Sequence, residues 1–218
     1  RKYDIIFTGT YQKPEEIYNQ LLSELSDSLK PFGEYVLKKI VEIPELTIEE
    51  CLKKALEEHG ITVSKDEFAE LVYEYMWADA WARHYYRDQT IRSLIENELD
   101  VHVFGNGWED FESNFKDHLI IEKGNSYLAR KAVANKKISL NMMPWLKAGF
   151  QERIAAAMLN GAVAVSDNSS YICDNFTDGE DIVLYSLRDL GQLPVKIRSL
   201  LEDEEAAEKI AEKGRERA

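Results

Sequence analysis

The segment from Ile138 to Asp167, ISLNMMPWLKAGFQERIAAAMLNGAVAVSD, gathers polar and basic residues where an anion could be held. A short apolar run turns polar at Asn141, Pro144 and Gly149 interrupt the chain, and Phe150 and Gln151 lead into a helix predicted to run to Asn160. A helix amino terminus presents unpaired N–H groups to an anion, and Arg153 in its first turn adds a fixed positive charge. A solvated helix start accounts equally well for Glu152 and Arg153. Gly161 fits a helix cap, and Ala162 to Val165 read as the next buried strand. In a parallel sheet this junction falls at the carboxyl edge, where such folds bind ligands.

The elements that would position this segment follow from the rest of the chain. Tyr3 to Phe7 reads as a strand ending in Thr8-Gly9-Thr10, a small-residue turn that lets backbone approach a phosphate. From Pro14 to about Glu98 the pattern is helical. Thr47 to Glu50 and Ser64 to Glu67 both fit capping boxes, and the stretch from Ser64 to Leu99 reads as helix. After it, strand and helix alternate: DVHVFGNGW, HLIIEKG, a helix over SYLARKAVANKK, ISLNMM, the Gln151 helix, AVAVSD, DIVLYS, and a helical region from Leu187. Alternation of this kind predicts an α/β fold, a Rossmann-like parallel sheet with helices on both faces. Residues 1–12 and 85–218 form the sheet domain in this scheme. Residues 13–84 form a helical insertion after the first strand, longer than an ordinary crossover.

Composition narrows the function. With 218 residues and 44% hydrophobic residues, the chain supports a large core. No apolar run reaches the roughly 20 residues of a membrane helix. A formal charge of −13 argues against binding nucleic acid. It leaves room for a small anionic ligand held by local donors among Lys123, Arg130, Lys131, Lys136, Lys137, Lys147 and Arg153, although a solvated helix end accounts for the 130–137 cluster. Cys51 and Cys173 read as buried thiols of a cytoplasmic protein, too few for a disulfide scaffold. Tyr73, Tyr75, Trp77, Trp81, Tyr85 and Tyr86 sit at helical spacing among acidic residues, which favours packing over base stacking. His59, His84, His102 and His118 are scattered. His102 alternates within a strand as a packed or surface residue would. The chain begins without Met and stops on a charged helix, which suggests a piece of a longer protein.

The layout YDIIFTGTY, VHVFGNGW, ISLNMMPWLKAGFQERIAAAMLNGAVAVSD, FTDGEDIVLYS and EKIAEKGRERA resembles the C-terminal, donor-binding domain of GT-B glycosyltransferases, specifically the CgeB-like, spore-maturation-type group. The resemblance covers residues 1–12 and about 85–218, and it implies truncation just after Gly214-Arg215. It also implies a nucleoside-diphosphate sugar as donor substrate, with no cofactor and no metal. The diphosphate would face Gln151, Arg153 and the Thr8-Gly9-Thr10 turn, with Asn141, Gly149 and Phe150 lining the approach. Gly105, Asn106, Gly107 and Trp108, with Lys123 and Tyr127, would flank the base and ribose, although Trp108 could equally be a core anchor.

The two glutamates that many retaining members carry fall on Ala148 and Ala156, so Glu152 and Arg153 are the catalytic candidates. The acceptor is unknown. It and a base are expected from a missing N-terminal domain of the same protein, so the isolated chain is expected to be inactive. A non-catalytic interaction module, using the insertion to bind a partner, is the alternative. A dinucleotide oxidoreductase lacks its G-x-G-x-x-G fingerprint here.

Overall fold

The computed structural model describes residues 3–27, 29–122, 136–144 and 146–218. Six strands form one wholly parallel sheet in the order β3-β2-β1-β4-β5-β6. They are β1 (Tyr3–Thr8), β2 (Val101–Phe104), β3 (Leu119–Glu122), β4 (Lys136–Leu140), β5 (Val163–Asp167) and β6 (Val183–Tyr185). This is the doubly wound order, in which the chain leaves β1 in one direction and returns on its other side at β4. Ile5 pairs with both Val101 and Ile138, so the loops after β1 and β4 open side by side at the carboxyl edge.

Five helices lie between β1 and β2: α1 (Pro14–Glu24), α2 (Lys30–Glu42), α3 (Ile48–Glu58), α4 (Lys65–Glu74) and α5 (Met76–Ile95). Both expected capping boxes are formed. The Thr47 and Ser64 hydroxyls accept from the N–H groups of Glu50 and Glu67, whose carboxylates return to the cap N–H groups. The run from Ser64 to Leu99 is two helices rather than one. It breaks at Tyr75, which is fully buried and has φ −90° and ψ 8°, and this lets α4 fold back over α3. The later helices are α6 (Glu152–Leu159), α7 (Ser170–Asn175), α8 (Gln192–Glu202) and α9 (Glu204–Arg217).

Burial divides the molecule by face. Ile5, Phe7, Val101, Val103, Ile138, Leu140 and Val165 point to one side, where they pack with Ile91, Leu94 and Ile95 of α5 and Leu193 and Ile197 of α8. Ala164, Ile154, Ala157, Met158 and Ile172 form the layer of α6 and α7 on the other. A separate core holds the insertion together through Leu21, Phe32, Val36, Leu37, Cys51, Leu52 and Tyr75, and it also takes in Ala78, Trp81 and Ala82 of α5. One helix thus contributes its first half to the insertion core and its second half to the sheet core. Tyr85 still packs on the insertion core and the Tyr86 hydroxyl donates to the Ile40 carbonyl, so α5 runs unbroken across the expected division at 84/85.

The aromatic run is mostly packing. Trp81 stacks on Tyr85 with ring centroids 5.0 Å apart, and the Tyr86 hydroxyl donates to the Ile40 carbonyl at 3.1 Å. The helix expected over SYLARKAVANKK lies, up to residue 135, outside the described residues. Its last two lysines do not belong to a helix: Lys136 and Lys137 open β4. Lys136 pairs with Tyr3 and is 2% exposed, so it is no solvated helix end.

Glycine is required where the β1 and β2 loops meet. At Gly105 (φ +144°) a Cβ would collide with the Gly9 carbonyl oxygen, and at Gly107 (φ +87°) it would meet that of Tyr11. Gly60 also has a left-handed backbone (φ +63°) but faces open space. Gly105→Ala should therefore lower the unfolding free energy by about 3 kcal/mol, strain and collision together, and Gly60→Ala by only about 1 kcal/mol. Urea denaturation of both variants checks this, and equal losses would refute the close approach.

Candidate functional site at the carboxyl edge

The β1 turn is held from below and from the side. Gly9 N–H donates to the Phe104 carbonyl and Tyr11 N–H to that of Asn106, each at 2.8 Å. Trp108 is fully buried and its indole N–H donates to the Gly9 carbonyl at 2.8 Å. Its ring stacks on Tyr11, with centroids 5.0 Å apart, and meets Phe7 edge to face. Enclosed in this way, Trp108 is the anchor beneath the turn, while Asn106 is exposed above it.

Helix α5 fixes the same turn through side chains spaced three and four residues apart, which share one helix face. His84 Nδ1 accepts from Gln12 N–H at 3.0 Å, and burial keeps that imidazole neutral, its pKa pulled down to about 4. Asp88 accepts from the Tyr11 hydroxyl at 2.8 Å and pairs with Arg92 at 3.0 Å. Between them Arg87, itself buried, donates Nη1 to the Thr10 carbonyl.

Arg153 reaches the turn from the opposite side, donating Nη1 to the Thr8 carbonyl at 2.6 Å. The two guanidinium carbons stand 5.4 and 5.9 Å from the centre of the Phe7 ring, within cation–π range. Among the described residues neither arginine forms an ion pair with a carboxylate. Burial first, and then the neighbouring Arg153 and Arg83, pull the Arg87 pKa down to about 10. Burial also lowers that of Arg153, and burial with Arg153 nearby brings Lys136 to about 7.

Two buried acceptors are left unused near the end of β4 and the start of α6. Asn141 donates Nδ2 to the Ser166 hydroxyl at 2.9 Å, and its own carbonyl accepts from the Tyr185 hydroxyl at 2.8 Å, but its buried Oδ1 has no partner. Gln151 stands at the α6 N-cap, 8% exposed, and its buried Oε1 is also unpartnered. Buried polar atoms are nearly always bonded, so these two oxygens retain acceptor capacity. Glu152 is exposed, Gly149 half-buried, and Phe150 is committed to packing, stacked on Phe176 at 5.6 Å.

Arg153 thus meets the Thr8 to Thr10 turn directly, Asn141 follows β4 beside that turn, Gln151 caps the helix that carries Arg153, and Gly105, Gly107 and Trp108 pack against the turn from the β2 loop. Lys123 and Tyr127 lie outside the described residues. His102 contacts Glu122 at 2.7 Å and the Tyr3 ring, a strand-surface arrangement. Sequence reasoning missed Arg87 because RHYYRDQ reads as an ordinary charged helix. Its spacing from His84 and Asp88, three side chains on the face that meets the turn, was the available signal.

Asp167, at the end of β5, is the other group sequence reasoning passed over. It is 2% exposed and accepts from Met143 N–H at 2.7 Å. Burial raises its carboxyl to about 7, against the opposing pull of the Met143 N–H, Lys147 and Ser166. Among the described residues, no group of three or more His, Cys, Asp or Glu side chains is placed to hold a metal ion, and no helix is long and apolar enough to cross a membrane.

A family model described as glycosyl transferase-like matches residues 83–218. Among solved structures the chain is similar to Anabaena Alr3699/HepE in complex with UDP, at 12% identity and a TM-score of 0.49, over 99% of this chain and 73% of that one. No curated protein matches it.

The Asp167 carboxyl gives the fold a definite pH signature. Its folded pKa of about 7 stands above the ordinary 3.8, so between those values the folded state holds a proton that the unfolded chain has lost. Stability contributed by this group therefore falls as pH rises from about 4 to 7, and the cost is complete above 7. Asp167→Asn keeps an acceptor for Met143 and removes the titration. The variant should gain stability relative to the parent between pH 5 and pH 8 in urea denaturation, and a difference that does not change with pH would contradict the buried carboxyl.

Proposed function

The chain belongs to the glycosyl transferase-like family, and from that premise we propose that it is the donor-binding half of a GT-B enzyme of the CgeB-like group. The donor is a nucleoside-diphosphate sugar, bound across the loops after β1 and β4. The observation that carries this reading is the pair of arginines without carboxylate partners, Arg87 and Arg153, converging on the Thr8 to Thr10 turn at the topological switch point of the sheet.

In this mechanism the diphosphate lies against the guanidinium groups and the α6 amino terminus. As the bond between the sugar carbon and the diphosphate oxygen breaks, negative charge grows on the leaving group and the fixed cations stabilise it. An acceptor hydroxyl bonds to the sugar carbon and gives up its proton to a base. Because two guanidinium groups and a helix terminus neutralise the diphosphate, no divalent metal is needed for that task. Ribose hydroxyls donate to the unpartnered Asn141 Oδ1 and Gln151 Oε1. The absence of glutamates at Ala148 and Ala156 separates this site from the retaining pattern. The acceptor and the base belong to a further, N-terminal domain, which leaves this chain binding donor without transferring sugar.

Isothermal titration with UDP, GDP, ADP and TDP tests the assignment. One nucleotide should bind saturably, and Arg153→Ala and Arg87→Ala should each weaken it by at least about ten-fold, the scale of a lost charge-assisted hydrogen bond. Undiminished binding in both variants would refute the site, and sugar transfer by this chain alone would refute its incompleteness.

A further inference from the structure

The helical insertion turns an apolar ridge outward. Tyr75 is fully buried at the break between α4 and α5, where its ring meets that of Phe32 edge to face at 5.9 Å. Seating that side chain in the insertion core sends its neighbours the other way: Tyr73, Met76 and Trp77 are 73%, 57% and 52% exposed. Every residue of α4 is exposed or half-buried. The helix covers the core with Phe68, Leu71 and Val72 and leaves its remaining face to solvent. Single exposed apolar side chains are ordinary, but large ones clustered within a charged rim form a contact surface, and Tyr, Trp and Met are enriched in such contacts.

The ridge is bordered by hollows that would receive side chains. Trp77 forms one wall of a hollow of about 60 Å³, completed by Gln12, His84 and the α1 residues Ile17 and Leu21. Met76 forms one wall of a larger one of about 440 Å³, with Ile40, Leu46, Ile48 and Val72 of the insertion and Pro144 of the loop after β4.

The charge around the ridge is mainly acidic. Helix α4 sets Asp66, Glu67, Glu70 and Glu74 against Lys65, and the exposed Glu24 and Glu49 border the smaller and the larger hollow. Two cations reach the larger hollow and both are engaged, Arg83 with the Asp79 carboxylate at 2.6 Å and Lys147 with the Pro44 carbonyl.

That rim separates the surfaces able to cover the ridge. Segments that lie on membranes flank their apolar residues with Lys and Arg, whereas glutamates are repelled by anionic headgroups. A second copy related by a two-fold axis would set the same acidic rim against itself, in a chain whose formal charge is already −13. A basic partner gains from the same rim, in approach and in register. We propose that this ridge is a docking site for a lysine- or arginine-rich segment of another protein, whose large apolar side chains enter the two hollows.

The probe is a dansyl-labelled amphipathic peptide of about 18 residues, leucine on one helix face and lysine on the other, and it requires no nucleotide. Fluorescence anisotropy with the full chain should show saturable binding. A scrambled peptide of the same composition, and a leucine/glutamate peptide, should bind at least about ten-fold more weakly. Tyr73→Ser combined with Trp77→Ser should weaken the leucine/lysine peptide by about ten-fold, the scale of lost interface aromatics. Val195→Ser, at an exposed apolar position on α8, should leave it unchanged. Both replaced aromatics are exposed, so the double variant should keep the parent's circular dichroism and urea midpoint. Failure of the peptide to bind, equal binding by the scrambled peptide, or undiminished binding by the double variant overturns the docking site. Dimers in sedimentation that the double variant dissolves would give the ridge to a second copy instead, and anionic-vesicle binding lost in that variant would give it to a membrane surface.

Discussion

Two guanidinium groups packed around one phenylalanine ring, with backbone carbonyls as their described hydrogen-bond partners, set the character of the carboxyl edge. Burying a cation without a carboxylate costs several kcal/mol even after local relaxation, and placing two together adds repulsion. The Thr8 and Thr10 carbonyl dipoles and the π face of Phe7 recover part of that cost. What is left is uncompensated positive potential around the Thr8 to Thr10 turn, which an anion placed there would offset.

The rest of the architecture serves to keep that arrangement from relaxing. Arg87 cannot swing out because α5 is pinned at both ends, by Trp81 and Ala82 in the insertion core and by Ile91, Leu94 and Ile95 in the sheet core. The turn cannot retreat because Gly105 and Gly107 bring the β2 loop into contact with its carbonyls and Trp108 fills the space beneath. Arg153 is fixed by its place in the first turn of α6, whose apolar face is buried at Ile154, Ala157 and Met158. A helical insertion of this size would be a burden in a simple crossover. Here it orients one of the two cations and closes over the neighbouring loop through Lys147 and Arg188.

Much of this was legible in the residues before any coordinates. Asn141, Pro144 and Gly149 followed by a helix start, and Thr8-Gly9-Thr10 after a strand, are local signals, and the two capping boxes need only four residues each. Arg87 was not legible, because an arginine in a charged helix becomes a buried cation only once the opposite face of the sheet is packed. Lys136 misled for a related reason. A basic residue beside Lys137 looks solvated until strand pairing with Tyr3 draws it into the sheet, where its ammonium reaches the Ser139 hydroxyl at 2.8 Å. Trp108 was undecided between base and core because the two roles demand the same residue. The carbonyl of Gly9, distant in sequence, decides its place.

For the proposed donor site, the balance of unfinished bonds favours one kind of anion over others. A bare carboxylate could satisfy Arg87 and Arg153 but would offer only acceptors to Asn141 Oδ1 and Gln151 Oε1, which need donors, and inorganic phosphate carries its hydroxyls on the same phosphorus as its anionic oxygens. A ligand that joins anionic oxygens to hydroxyl groups a few bonds away completes both halves. A nucleoside diphosphate has that composition. Discrimination against simple anions then follows from the penalty of leaving two buried acceptors unpaired, an effect that commonly outweighs the gain from one extra hydrogen bond. In the proposed site the cations would supply attraction and the orphaned amide oxygens selectivity.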